Sequence, residues 1–138
     1  MPNRVRLLSL AALLICTFQS AGAEPSTYEI TCRSSTEQSK TVAVIDYTVL
    51  TSPKGNTIAG WVFMAARKNP WPIAHAEQDG LQLRFDWFEK PSPAEVTRHA
   101  IVIKPDQALY YNFGTTTETE TKPTFRLDCS EPSLLANP

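Results

Sequence analysis

The sequence predicts an all-β fold: a single antiparallel β-sandwich or closed meander/barrel of seven or eight strands, following a cleaved signal peptide. Three observations carry this. Tyr28-Glu29-Ile30-Thr31-Cys32 and Phe125-Arg126-Leu127-Asp128-Cys129 each alternate apolar with polar residues and end in cysteine. Successive side chains of a strand point to opposite faces, so the apolar residues and the cysteine of each string share one face. Between the strings, short stretches rich in β-branched and aromatic residues recur between turn formers. Closure of the two strings by a Cys32–Cys129 disulfide completes the picture.

The N-terminus sets the compartment. Arg4 and Arg6 precede an apolar run over residues 7–18, and Ala21-Gly22-Ala23 supplies small residues at a cleavage-site spacing. Residues 1–23 therefore read as a signal peptide, and residues 24–138 as one β-domain with its core over about 27–130. A run of about a dozen residues is short of the roughly 18 needed to span a bilayer, so no stable membrane insertion is expected after cleavage. The bulky Leu14-Ile15 before Cys16 does not suit a lipidation site, so Cys16 leaves with the leader. One even pair remains, with one connectivity. Cys32 and Cys129 lack the Cys-x-x-Cys spacing of a redox pair, and a structural bridge fits a periplasmic or secreted protein.

The first strand contains the first string, and the polar residues 33–40 connect it to a second over 41–51. There Val42 and Val44 lie on one face and Ile45, Tyr47 and Val49 on the other, which calls for a bulge near Val44 or burial on both faces. Ser52-Pro53-Lys54-Gly55-Asn56 turns the chain. A third strand over 57–65 places Trp61 and Phe63 on one face and Ile58, Val62 and Met64 on the other; the aromatic pair is expected inside. Pro70-Trp71-Pro72 interrupts it, because proline does not fit a central strand. Residues 73–77 read as a short strand or a single helical turn. Asp79-Gly80 is a hairpin signal. The strand after it sends Leu81, Leu83, Phe85 and Trp87 inward, and Pro91-Ser92-Pro93 ends it. Residues 95–104 and 109–113 form two more strands around Pro105-Asp106. Residues 114–122 alternate Thr and Glu as a solvated loop or the tip of a long hairpin, and 130–138 read as a frayed tail. An eight-strand meander would set the end strands antiparallel with little overlap at the cysteines. Either residues 73–77 are not a strand, or the bridge crosses between sheets.

Composition excludes more than it assigns. The formal charge is −1. Losing Arg4 and Arg6 leaves eleven basic residues (thirteen less two) against fourteen acidic ones, about −3. There is no basic stretch of the kind that binds nucleic acid. His75 and His99, with Asp86 or Asp46, lack the tight spacing of metal ligands. No Gly-x-Ser-x-Gly elbow is present, and carboxylate pairs such as Asp86 with Glu89 or Glu95 are ordinary on a β-surface. Gly55, Gly60, Gly80 and Gly114 are too scattered to cradle a phosphate. No catalytic residue, metal ligand or cofactor is assigned. Aromatic residues hard to place inside are the remaining lead: Trp71, Phe88 and Tyr110 form the candidate binding surface.

From Tyr28 to Cys129 the layout resembles a group of small secreted proteobacterial β-proteins of unknown function whose first and last strands end in cysteine. Where part of that group carries an Ile-Asp-Arg…Thr-Gly segment, this chain has Ile103-Lys104-Pro105-Asp106-Gln107-Ala108, so no functional residue is carried over. The chain is also similar to periplasmic inhibitors of C-type lysozyme. Phe85-Asp86-Trp87-Phe88-Glu89-Lys90 echoes their Phe-Trp…Lys-Gly segment, while their Ala-Ser-Gly loop is missing. The expectation is an exported, non-catalytic binding protein whose partner is either a small apolar ligand, held behind Leu83, Phe85 and Trp87, or a protein. The alternative is an inhibitor of a hydrolase such as lysozyme.

Overall fold

The computed structural model describes residues 25–65, 69–114 and 122–135. Residues 1–24, which include the segment read as a signal peptide, residues 66–68, residues 115–121 of the Thr/Glu tract and residues 136–138 lie outside them. Among the described residues there are nine strands and no helix: β1 Ser26–Ser34, β2 Thr41–Ser52, β3 Gly55–Met64, β4 Trp71–Asp79, β5 Gln82–Ser92, β6 Glu95–Ile103, β7 Ala108–Gly114, β8 Phe125–Cys129 and β9 Ser133–Leu134. All pairings are antiparallel; β2 to β8 follow chain order, and β1 pairs with β2 on one side and with β8 and β9 on the other. The sheet thus closes into a ring.

An eight-strand ring encloses a lumen just wide enough for its own side chains to fill. Ile30, Cys32, Ala43, Ile45, Val62, Phe85, Trp87 and Ile101 are wholly buried, with Tyr47, Ala108, Tyr110 and Leu127 completing the cluster. Alternation on β1, β2 and β5 places these residues inside, as their sequence pattern requires.

Closure differs from both expected solutions. Residues 73–77 lie within β4, so the strand count around the ring is even and the ends are antiparallel. The bridge joins neighbouring strands of one sheet: Cys32 directly faces Cys129, with Cα atoms 4.0 Å apart. The overlap is indeed short, only Cys32↔Cys129, Arg33↔Asp128 and Ser34↔Leu127. The segment read as a frayed tail makes up the deficit. Ser130 N–H donates to Thr31 O and Leu135 N–H to Thr27 O, each at 2.8 Å, and β9 sets Leu134 opposite Tyr28 and Ser133 opposite Glu29.

Three further readings are corrected. The irregularity in β2 falls on its β1 side, where Cys32↔Ala43 is followed by Arg33↔Thr41, so Val42 rather than Val44 is skipped. Leu81 belongs to the β4–β5 turn, 82% exposed, beside Gly80 at φ 60°. Its apolar side chain continues the alternation, but the Asp79↔Gln82 pair closes the ladder before it. Pro72 is inside a strand, at the second position of β4 and opposite Trp61. The β3–β4 ladder accordingly spans only Trp61↔Pro72 and Val62↔Trp71, since proline has no N–H to donate.

Gly60 has a specific steric reason. A Cβ there would lie 2.0 Å from the Asp46 carbonyl oxygen and 2.7 Å from Tyr47 Cα. Gly60→Ala is therefore expected to lower stability by about 1–3 kcal/mol or more, as overpacking against backbone does. Equilibrium denaturation measures it. Replacing both Cys32 and Cys129 by alanine should cost about 2–4 kcal/mol in the same assay.

Candidate interaction surface

The ten uninterrupted pairs from Ala43↔Met64 to Ser52↔Gly55 fix the outer face of the β2–β3 hairpin. Ile45 and Tyr47 are inside, so Val44, Asp46 and Thr48 point out, and their partners Phe63, Trp61 and Ala59 point out with them. β1 continues each row with Thr31, Glu29 and Thr27. The result is three parallel rows: Thr31–Val44–Phe63, Glu29–Asp46–Trp61 and Thr27–Thr48–Ala59. Thr27 and Thr48 hydroxyls bond at 2.9 Å.

Trp61 is 49% and Phe63 39% exposed. This overturns the expectation that they fill the core. The inner face of β3 is taken instead by Ile58, Gly60, Val62 and Met64. Both faces of this strand carry large apolar side chains, so alternation alone does not choose between them. The turn does: with Ser52 opposite Gly55, Val62 must face Ile45 and Trp61 must face Asp46. That is the signal by which these two residues could have been found.

The aromatic residues singled out from sequence are not brought together. Tyr110 is in the lumen, 6% exposed, stacked on Phe125 with ring centres 4.7 Å apart. Trp71 is half-buried against the core, with its indole nitrogen lacking a hydrogen-bond partner among the described residues. Phe88 is 41% exposed on the outside of β5, opposite Arg98.

The histidines and carboxylates are likewise separated by the wall. His75 is outside, 3.8 Å from Glu77. Asp86 is buried on the outer side between Arg84, which donates to it at 2.9 and 3.0 Å, and Arg98 at 3.1 Å. Arg98 also lies 4.7 Å from the centre of the Phe113 ring. Glu89 and His99 are buried inside, and Glu95 is at the β5–β6 turn. Among the described residues no three His, Cys, Asp or Glu side chains gather as a metal site.

The lumen nevertheless holds a polar chain. His99 Nδ1 is 2.6 Å from the Tyr110 hydroxyl and Nε2 is 3.6 Å from Glu89 Oε2, while Trp87 stacks on the imidazole at 5.4 Å. A buried carboxylate needs such company. The Nε2–carboxylate separation is longer than a hydrogen bond and all three groups are enclosed, which fits a structural role. Sequence reading missed this cluster because Glu89 and Tyr110 come from separate strands and meet only through register.

At the surface, Glu29 and Asp46 face each other directly. Partial burial, and then Glu29, push the Asp46 carboxyl above its ordinary value of 3.8. The folded state thus holds this proton more tightly than the unfolded one, so the contribution of Asp46 to stability falls as pH rises from 3.8 through the raised value.

No family model, curated protein or solved structure matches the chain.

Two outcomes follow for these groups. Asp46→Asn should raise the melting temperature at pH 7 and change it little at pH 3, where the carboxyl is protonated in both states. Tyr110→Phe removes the 2.6 Å contact with His99 and should cost about 1–3 kcal/mol, read by chemical denaturation.

Proposed function

We propose that the chain is an exported, non-catalytic module that binds another protein through the outer face of β1–β3. One observation carries the reading: Trp61 and Phe63 sit exposed on adjacent rows of the most regular hairpin in the ring. Large aromatic side chains are enriched in interface cores, and a rigid sheet presents them with little ordering cost on binding. The core supports a surface over an enclosed ligand. Phe85 and Trp87 pack with Ile30, Ile45, Val62 and Ile101 in the space a carrier would leave for cargo.

Export is part of the proposal. It rests on the Arg4/Arg6 leader with its apolar run and Ala21-Gly22-Ala23, and on a disulfide compatible with an oxidising compartment, periplasmic or extracellular.

The test is affinity capture from the exported fraction of the protein's own host. Trp61→Ala with Phe63→Ala should abolish specific capture while shifting stability by less than about 1 kcal/mol, as exposed substitutions do. Undiminished capture by the double variant would overturn the surface. Trp71→Ala, in contrast, should lower stability, because its indole packs against the core.

A further inference from the structure

The central row of this face has a charge pattern that selects its occupant. Glu29 and Asp46 are direct cross-strand partners, and like charges placed so weaken a sheet. Among the described residues neither carboxylate takes part in an ion pair, in contrast to Asp86, which has two arginines. Asp46 Oδ1 is buried with no hydrogen-bond partner there. Trp61 follows Asp46 in the same row, half exposed, with Phe63 and Val44 alongside. The row therefore offers two acid groups that bond each other, with no cation paired to either among the described residues, and next to them an open indole.

Resting on the interaction surface argued above, we propose that this face docks a partner protein through an arginine side chain seated on the Trp61 indole and held by Glu29 and Asp46. The chemistry favours this occupant on three counts. A cation relieves the repulsion between the two carboxylates. A planar guanidinium stacks on an indole while its edge donates to carboxylates, whereas an ammonium cannot stack. Anionic surfaces such as phosphate backbones or acidic lipids are repelled by the same pair.

The test titrates the protein purified from its host with acetyl-Gly-Arg-Gly amide, and with the same peptide carrying neutral citrulline for arginine. Nuclear magnetic resonance follows the Trp61 indole N–H and the amides of Glu29 and Asp46. Arginine should give saturable shifts confined to this row and citrulline none. Glu29→Gln with Asp46→Asn should weaken binding about tenfold or more, as loss of charge-assisted contacts does. Absent shifts, equal binding of citrulline, or an unaffected carboxamide variant would each overturn the arginine. Affinity capture separates the two levels. If Trp61→Ala/Phe63→Ala loses the partner while Glu29→Gln/Asp46→Asn keeps it, the surface stands and the arginine falls. If both variants keep the partner, the surface itself falls.

Discussion

Everything in this molecule depends on how β1 is held. It is the one strand that must pair on both sides with strands from opposite ends of the chain, β2 immediately after it and β8 at the far end. Only three residue pairs join it to β8, and bringing such remote segments together carries a loop-closure entropy that three pairs answer poorly. The Cys32–Cys129 bridge fixes the first of those pairs covalently, across 97 residues, and so removes much of that entropy from the unfolded chain. β9 then extends the ladder along the rest of β1. Without this closure the backbone edges of β1 and β8 would lie open, and the lumen residues Ile30 and Leu127 would lose a wall.

The closed ring divides the chain by parity. Side chains on one parity fill the lumen and those on the other face out, and each bulge resets the count. This is why residues near in sequence end on opposite sides, such as Asp86 outside and Trp87 inside, and why distant ones meet. Glu89, His99 and Tyr110 come from β5, β6 and β7 and form one polar chain inside; Glu29, Asp46 and Trp61 come from β1, β2 and β3 and form one row outside. Both are rows across strands, which no local motif encodes.

That division also explains what could be read from the sequence. The all-β class, the disulfide and the inward set of β5 from Leu83 onward follow from strict alternation with small or polar residues on the other face. Trp61 and Phe63 were misassigned because Ile58, Val62 and Met64 on the opposite face are equally apolar. There the hydrophobic pattern is degenerate, and hairpin register decides. Tyr110 was placed outside because Leu109 and Tyr111 beside it look like core residues. Leu109 is in fact buried on the other face of β7, and the Tyr110 hydroxyl is accommodated inside by His99, which the regular β6–β7 register sets diagonally from it, opposite Asn112. Residues 130–135 looked like a tail because they lack alternation, and their pairing with β1 is carried by backbone hydrogen bonds that side-chain pattern does not report.

The same constraints bear on the binding face proposed above. The lumen is committed to packing, and the outside of β5 and β6 commits Asp86 to two arginines. β4 joins β3 through only two pairs, with Pro72 unable to donate an N–H, so this seam is weak in ladder bonds. The β2–β3 hairpin lies beside that weak seam yet is itself the longest unbroken ladder, anchored by the close approach of Gly60 to the Asp46 carbonyl. The approach that excludes a Cβ at residue 60 also fixes the backbone between Asp46 and Trp61. An acidic side chain and an indole are thereby held in one row, and among the described residues no ion pair balances the acid. Stability alone would favour a neutral residue at position 46, where the folded state raises the carboxyl. The docking proposed above would supply the positive charge that no ion pair among the described residues gives Asp46.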